Sequence, residues 1–247
     1  AVPLKDIREF HASSGTTGKP TVVGYNDHDL ETWKRLMARC YATAGAKPGD
    51  IVQNAYGYGL FTGGLGFHYG AQRLGLAVWP ISGGNTKRQL LFMKDMKPTI
   101  IASTPSYAMY LAEEARANGY APKEDFRLRI GMFGAEPWSE EARRKIEDGL
   151  NIRANDCYGL SELYGPGVAM ECGEQDGLHI WADEFLPEVI DPQTGEVLEP
   201  GEQGELVFTM LTGQAMPLLP RHSESSWKEK CTQTMSRPLS RPRFQNL

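Results

Sequence analysis

The sequence predicts an α/β fold. Short apolar runs typical of strands alternate with longer segments in which apolar residues recur every three or four positions, and turn residues separate the two. Hydrophobic residues make up 40% of the 247 residues and charged residues 23%, as in ordinary globular proteins. The later part of the chain changes to short strands and turns, which predicts a β-rich C-terminal part.

Helical spacing and residues that favour helix ends predict four helices. They cover residues 29–44, 86–96 and 105–118, with a fourth after Ser139. We expect Gly45 to stop the first helix. Thr104 and Pro105 are typical of the start of the third. Ser139 is a suitable N-cap, followed by acidic residues that favour a helix N-terminus.

Apolar runs between the helices predict the strands. These are 51–52, 76–81, 99–102, 130–133, 186–190, 196–198 and 204–209. A strong turn at 191–195 separates the strands 186–190 and 196–198. The pattern changes after Gly173, so we divide the chain into an α/β part, 1–172, and a β-rich part, 173–216. The segment 217–247 is rich in Ser, Arg, Pro and Lys without periodicity, and we expect an atypical, disordered tail.

Charge and hydropathy exclude some partners. A formal net charge of −5 argues against nucleic acid, whose binding needs clustered Lys and Arg. We find no apolar stretch long enough to span a bilayer and no leader typical of a signal peptide, so we expect neither membrane insertion nor secretion.

The cysteines indicate a reducing compartment. Cys40, Cys157, Cys172 and Cys231 are far apart and form no C-x-x-C pair, which favours free thiols in the cytoplasm. Cys172 could instead ligate a metal with His179, with or without Cys157, although the spacing is not that of a compact zinc site.

The most informative stretch is a hydroxyl- and glycine-rich loop. It reads Ser13-Ser14-Gly15-Thr16-Thr17-Gly18-Lys19-Pro20-Thr21. The glycines allow a sharp turn and close approach to a ligand, and hydroxyls, backbone N–H groups and Lys19 can surround phosphate oxygens. It is not a Walker A motif, because only two residues separate Gly15 from Gly18 and Pro20 follows the lysine. The alternative is a polar surface turn.

A second stretch, 56–70, combines aromatic residues with glycines. Flat apolar rings can enclose an aryl group, and bare backbone can keep a pocket open. The alternative is an aromatic core patch around a close-packed helix start. His68 also lies in this stretch, but a lone histidine more often has a structural role than a role in ligand binding.

Two further strings follow predicted strands. Gly134-Ala135-Glu136-Pro137-Trp138 comes after a strand end, where α/β sheets gather ligands; it is also consistent with a plain strand-to-helix turn. Tyr158-Gly159-Leu160-Ser161-Glu162 carries a carboxylate suited to a hard cation. Taken alone, Glu162 would be read as a solvated surface carboxylate.

These strings resemble the adenylate-forming superfamily of acyl- and aryl-CoA synthetases. Residues 13–21 look like its phosphate loop, and 158–162 look like its Y-G-x-[ST]-E motif. His11-Ala12 and the segment 22–25 resemble the phenylacetate–coenzyme A ligase branch. The resemblance covers roughly residues 1–216 and implies the large N-terminal domain of that enzyme fold, here incomplete.

The resemblance also implies site residues. Nucleotide binding is expected at Ser13, Ser14, Gly15, Thr16, Thr17, Gly18, Lys19, Gly134, Ala135, Glu136, Pro137, Asp156, Tyr158, Gly159 and Ser161. The acid is expected near Tyr58, Phe61 and Gly134. Catalytic roles are expected for Thr16, Thr17, Lys19 and Glu162, with Glu162 also the Mg²⁺ ligand.

The implied reaction joins an aryl acid such as phenylacetate to coenzyme A in two steps, through an acyl adenylate made from ATP. A related ligase for another acyl or aryl acid, and a non-catalytic nucleotide-binding module, remain as alternatives. Full-length relatives suggest a homodimer.

The sequence departs from the family after Pro217. The family continues into an Arg-Tyr-Arg-Thr-Arg-Asp segment and a small C-terminal domain with a catalytic lysine, whereas this chain continues Leu218-Leu219-Pro220-Arg221. The segment that precedes the phosphate loop in the family is also largely missing. A frameshift or misassembled gene end is our hypothesis for the tail, and we expect the chain alone to be a poor or inactive catalyst.

Overall fold

The computed structural model describes residues 2–13 and 20–216, and the backbone of 221–222. The helices are α1 Asp27–Thr43, α2 Thr62–Arg73, α3 Thr86–Asp95, α4 Pro105–Ala117, α5 Pro122–Asp125 and α6 Glu140–Leu150, with 3-10 turns at Leu4–Asp6 and Ser161–Leu163. The strands are β1 Glu9–Ala12, β2 Val22–Tyr25, β3 Ile51–Asn54, β4 Ala77–Trp79, β5 Ile100–Ser103, β6 Ile130–Gly134, β7 Arg153–Leu160, β8 Gly165–Glu171, β9 Leu178–Ile180, β10 Phe185–Ile190, β11 Glu205–Met210 and β12 Arg221–His222.

Seven strands form the main sheet, in the order β4-β3-β5-β6-β7-β8-β9. The strands from β4 to β7 run parallel, and β8 and β9 continue the sheet antiparallel. The parallel part places the ends of β3, β5 and β6 along one edge, where α/β proteins bind ligands. The predicted α/β fold is confirmed.

Helices cover both faces of this sheet. Ile100 belongs to the core cluster beneath α1 and α2, whereas its neighbour Ile101 belongs to the cluster beneath α3, α4 and α6. Met132 and Phe133 divide between the clusters in the same way. Because successive strand residues point to opposite faces, continuous apolar runs are what a sheet buried on both sides requires.

Side-chain caps begin the main helices. Ser139 accepts a hydrogen bond from the Ala142 amide, so the predicted cap is confirmed. Thr104 accepts one from the Tyr107 amide, at the predicted start of its helix. Helix α1 begins at Asp27, two residues earlier than predicted, because Asn26 forms a reciprocal capping box with Asp29.

The antiparallel strands differ in detail from the prediction. In the main sheet, antiparallel pairing begins with β8, before the predicted change at residue 173, and β9 still belongs to that sheet. A separate sheet contains β10, β11 and β12. The predicted strand 196–198 contributes only an isolated bridge between Val197 and Ile190, because the turn at 191–195 leaves it exposed.

Asp29 ties the beginning of α1 to the end of the described chain. Its carboxylate accepts hydrogen bonds from the amides of Gln214 and Ala215, both at 2.9 Å, and from the Tyr164 hydroxyl at 3.0 Å. Asp29 is only 2% exposed, so these donors replace the water that a buried carboxylate would otherwise need. No helix in the ranges given above is both long and apolar enough to cross a membrane.

Candidate functional site

The hairpin β1–β2 closes the predicted phosphate loop. Backbone pairs run from Glu9 opposite Tyr25 to Ala12 opposite Val22. Beyond them the Ser13 amide donates to the Thr21 oxygen, and the Thr21 amide donates to the Ser13 hydroxyl, each at 2.9 Å. The expected ligands Ser14, Gly15, Thr16, Thr17, Gly18 and Lys19 lie outside the described residues. Ser13 therefore marks the base of the loop, with its hydroxyl used to close it.

Strand β1 joins this base to the aromatic stretch. The carbonyl oxygen of Leu60 accepts two hydrogen bonds, from the Ala12 amide at 3.1 Å and from His11 Nδ1 at 3.0 Å. Tyr58 and Phe61 are therefore brought close to the end of the strand that leads into the loop.

Strand β2, which follows the loop, contacts the second motif at its other end. The Tyr25 hydroxyl donates a 3.2 Å hydrogen bond to the Ser161 oxygen. Burial raises the pKa of Tyr25, and the neighbouring Tyr164, Glu9, Asp29 and Glu162 raise it further, so the phenol stays neutral. The strand after the loop and the second motif thus meet at two residues that are 136 positions apart.

The second motif leaves β7 through an irregular stretch. Tyr158 is buried and its ring centroid lies 5.7 Å from that of Phe208. The register with β8 shifts between Tyr158 and Gly159, where a Cβ atom would lie 1.8 Å from the Gly165 oxygen. Only glycine fits there. The following 3-10 turn leaves Glu162 half-buried beside Tyr25.

Backbone rather than side chains forms the site at the end of β6. A Cβ on Gly134 would lie 2.1 Å from the Cys157 oxygen, and Ala135 has a positive φ of 72°. The Glu136 carboxylate accepts a 2.6 Å hydrogen bond from the Ser106 amide in the first turn of α4, where the helix dipole favours an anion. Its side chain is thus engaged with α4, a contact that the sequence did not predict.

The two remaining expected nucleotide residues are in different surroundings. Pro137 is exposed beside the start of α6. Asp156 is 1% exposed in β7, and its amide donates a 2.9 Å hydrogen bond to Glu171. Glu171 also pairs with Arg143 through two contacts of 2.7 and 3.0 Å, and both side chains are about 95% buried. This ion pair supports the strand that carries Tyr158.

Of the expected acid-binding residues, Tyr58 belongs to a small polar cluster with Asn54 and His68. The Tyr58 hydroxyl accepts from Asn54 Nδ2 at 2.7 Å and lies 3.0 Å from His68 Nδ1. Burial raises the pKa of Tyr58 to about 12 and lowers the pKa of His68. With both groups neutral, the phenol donates to Nδ1, which leaves the His68 proton on Nε2. Phe61 is 55% exposed at the start of α2.

The glycines of α2 serve helix packing. A Cβ on Gly70 would lie 2.3 Å from Met37 Cβ, and one on Gly66 would lie 2.6 Å from the Trp33 ring. Tyr56 is buried and stacks on Phe67 at 4.8 Å. For these residues the alternative interpretation of a close-packed core is confirmed, whereas Tyr58, Phe61 and His68 retain exposed surface.

The described residues do not form the alternative metal site. They contain no group of three His, Cys, Asp or Glu side chains placed to hold an ion. The Cys157 thiol is buried against Cys40, which raises the pKa of Cys157 and keeps it protonated. Cys40, Cys157 and Cys172 are free thiols, as predicted.

Two site residues were not predicted as such. Tyr25 and Glu9 lie in strands that the sequence indicated only through the flanks of the loop, and their contacts depend on partners far along the chain. His11 was noted only for its resemblance to one branch of the superfamily. The alternation of polar and apolar residues in 9–12 and the β-branched and aromatic residues of 22–25 were the available signals for two strands.

The fold and these motifs define an enzyme domain that binds a nucleotide. The model of the AMP-binding enzyme family matches residues 9–212. The chain belongs to the AMP-binding enzyme family.

Its relatives narrow the resemblance to one kind of ligase. The chain is 57% identical over 220 residues to a phenylacetate-coenzyme A ligase of Pseudomonas putida, covering 89% of this chain and 50% of the relative. It is 55% identical over 220 residues to the Thermus thermophilus enzyme of the same name, covering 89% of this chain and 49% of that relative. The chain thus spans about half the length of the curated relatives it matches.

A solved structure shares the fold. A 2-hydroxyisobutyryl-CoA ligase in complex with 2-HIB-AMP and CoA superimposes with a TM-score of 0.79 at 30% identity, covering 85% of this chain and 49% of that one. The match confirms the predicted large N-terminal domain of an adenylate-forming enzyme.

Proposed function

We propose that this chain provides the nucleotide- and acid-binding region of an enzyme that activates phenylacetate, or a similar aryl acid, with ATP and transfers it to coenzyme A. One observation carries the proposal. The hairpin that carries the phosphate loop contacts the aromatic stretch at Leu60, through Ala12, and the second motif at Ser161, through Tyr25. Triphosphate, acid and nucleotide can therefore meet in one place.

The chemistry requires positioning more than covalent help. The acid's carboxylate attacks the α-phosphorus of ATP, pyrophosphate leaves, and the thiol of coenzyme A then displaces AMP. Residues 13–19 would hold the β- and γ-phosphates, and Thr16, Thr17 and Lys19 would neutralise charge during attack. Tyr158, Gly159, Ser161 and the backbone of 134–137 would hold the adenosine part, with Asp156 buried behind them.

Glu162 fits a role in holding Mg²⁺. Magnesium is usually held by one or two carboxylates together with substrate phosphates and water, so a single half-buried carboxylate near Tyr25 is sufficient. The ion would neutralise phosphate charge when bound. Tyr25, neutral and hydrogen-bonded to the Ser161 oxygen, would keep the turn that carries Glu162 in place.

The identity of the acid rests on Tyr58, Phe61 and Gly134. An exposed phenyl ring and a half-buried phenol offer flat apolar surface to an aryl group. The relatives' names support phenylacetate. A related ligase would share the nucleotide chemistry and differ in these residues.

Two assays test the proposal. Pyrophosphate release is measured on a full-length version of the enzyme with ATP, Mg²⁺ and a panel of phenylacetate, benzoate and an aliphatic acid, because we expect the 247-residue chain alone to be a poor catalyst. Calorimetry measures ATP binding in parallel. Release that depends on an aryl acid supports the ligase, and ATP binding without release supports the alternative of a nucleotide-binding module. Failure to bind ATP at all would contradict both the ligase and the nucleotide-binding module.

We also propose a cytoplasmic location and, for the full-length enzyme, a homodimer. Free thiols at Cys40, Cys157 and Cys172 support a reducing compartment. The net charge of −5 supports small-molecule partners rather than nucleic acid. Sedimentation of the chain at several concentrations tests the dimer.

A further inference from the structure

His11 is a buried histidine whose two ring nitrogens both face acceptors. Its side chain is 1% exposed. Nδ1 lies 3.0 Å from the Leu60 carbonyl oxygen, and Nε2 lies 2.5 Å from a carboxylate oxygen of Glu9. A carbonyl oxygen cannot donate, so Nδ1 carries a proton.

Glu9 fixes the orientation of the ring from the other side. The other carboxylate oxygen of Glu9 accepts from the Tyr69 hydroxyl at 2.9 Å. Burial alone would raise the pKa of Glu9, but the hydrogen bonds from His11 and Tyr69, together with nearby charges that include Lys34, outweigh it and lower the pKa. The ring is therefore held at both nitrogens, with Nδ1 donating to the Leu60 oxygen.

The ring sits at the junction of the two ligand-binding stretches. It packs between Tyr25 and Trp33, with ring centroids 5.5 and 5.6 Å away. The Leu60 carbonyl oxygen also accepts a hydrogen bond from the Ala12 amide. This one oxygen therefore makes two of the bonds between β1 and the aromatic stretch. Without the His11 bond, only one backbone hydrogen bond would hold these stretches together at this point.

We propose that His11 is a positioning residue that holds the end of β1, next to Ser13, beside the acid-binding stretch through its bond to the Leu60 oxygen. The inference rests on the proposed function. In-line attack on the α-phosphorus requires the acid and the triphosphate to be held in a fixed relation, and small displacements are costly. Glu9 and Tyr69 act through the ring, by keeping it oriented.

Two amide variants separate the two bonds of the ring. In His11→Asn the amide nitrogen lies where Nδ1 was and can still donate to Leu60. In His11→Gln the amide lies nearer the former Nε2, within reach of Glu9 but not of Leu60. Both variants replace the ring by a smaller amide and leave a cavity, so His11→Asn is the matched control for stability.

The experiment measures coupling between the two ligands on the full chain. Calorimetry gives the affinity for α,β-methylene ATP, which cannot react, with and without phenylacetate. In the native chain and in His11→Asn we expect phenylacetate to raise that affinity. In His11→Gln we expect about a tenfold loss of this enhancement, the effect of about 1.4 kcal/mol. Equal coupling in the two variants, or none in the native chain, would overturn the proposal.

Hydrogen exchange provides a readout that needs no ligand. The Ala12 amide should exchange about tenfold faster in His11→Gln than in His11→Asn, because its acceptor Leu60 is no longer held. If the native chain bound neither ligand, the proposed function would fail while this comparison still decided the role of His11. Identical Ala12 protection in both variants would reject that role.

Discussion

The Tyr25 hydroxyl donates to the Ser161 backbone oxygen at 3.2 Å and thereby connects the strand after the phosphate loop to the turn that carries Glu162. We expect Tyr25→Phe to weaken ATP binding, because the turn loses its donor and shifts. The net value of such a bond is about 1 kcal/mol, a several-fold loss in affinity measurable by calorimetry. Tyr41→Phe is the matched control, since Tyr41 also donates to a buried backbone oxygen, that of Phe67. Equal loss in both variants would contradict a specific role.

Glu162→Gln tests the magnesium role. The amide keeps the shape but removes the charge that attracts a cation, so we expect about tenfold weaker binding of ATP at saturating Mg²⁺. Without Mg²⁺ the variant should bind ATP no worse than the native chain, because a negative charge near the phosphates has been removed. The exposed Glu174→Gln is the control. A native Mg²⁺ dependence in Glu162→Gln would refute the assignment.

Gly134→Ala tests whether the end of β6 must remain bare. Its Cβ would lie 2.1 Å from the Cys157 oxygen, so β6 and β7 must separate at a cost of about 1–3 kcal/mol. We expect a lower urea midpoint together with weaker nucleotide binding. Gly57→Ala meets nothing within 4 Å and should be neutral or slightly stabilising. Native-like stability of Gly134→Ala would show that the strands tolerate the methyl group.

Glu171→Gln tests the buried ion pair behind the second motif. The variant leaves the Arg143 charge buried with a weakened partner, and breaking such a pair costs about 3–5 kcal/mol. Urea denaturation should show this loss, whereas the double variant Arg143→Met with Glu171→Leu should recover much of it. Lys145→Ala breaks an exposed pair with Glu141 on the same helix and should have little effect.

Glu9 makes a pH-dependent contribution to stability. Its pKa is lowered in the folded state, so the contribution is present above the unfolded value near 4.5 and is lost as the pH falls through the folded value. We therefore expect the stability gap between the native chain and Glu9→Gln to narrow below about pH 4.5, as followed by urea denaturation at several pH values. The exposed Glu196→Gln is the control. A constant gap down to pH 3 would contradict the lowered pKa.

Local sequence was sufficient to predict the strands and helix starts that depend on apolar runs or on contacts between near neighbours in the chain. The apolar runs at Ile100–Ser103 and Ile130–Gly134 are strands because both faces of the sheet are covered, and Thr104 and Ser139 cap helices through bonds to amides three residues away. The phosphate-loop ligands Ser14 to Lys19 remain a prediction.

Contacts between remote segments could not be predicted in the same way. The bond between Tyr25 and Ser161 spans 136 positions, and nothing near either residue specifies the other. The glycines of α2 illustrate a different difficulty. They disfavour a helix in isolation, yet Gly70 is required because Met37 approaches so closely, a tertiary demand that outweighs propensity.

The bonds from Gln214 and Ala215 to Asp29 bear on the order of folding during synthesis. They close a loop of more than 180 residues. The first helix therefore emerges from the ribosome long before its buried carboxylate can be satisfied. Contacts of such high sequence separation are slow to form. The nascent chain therefore cannot complete these hydrogen bonds until Gln214 and Ala215 have been translated.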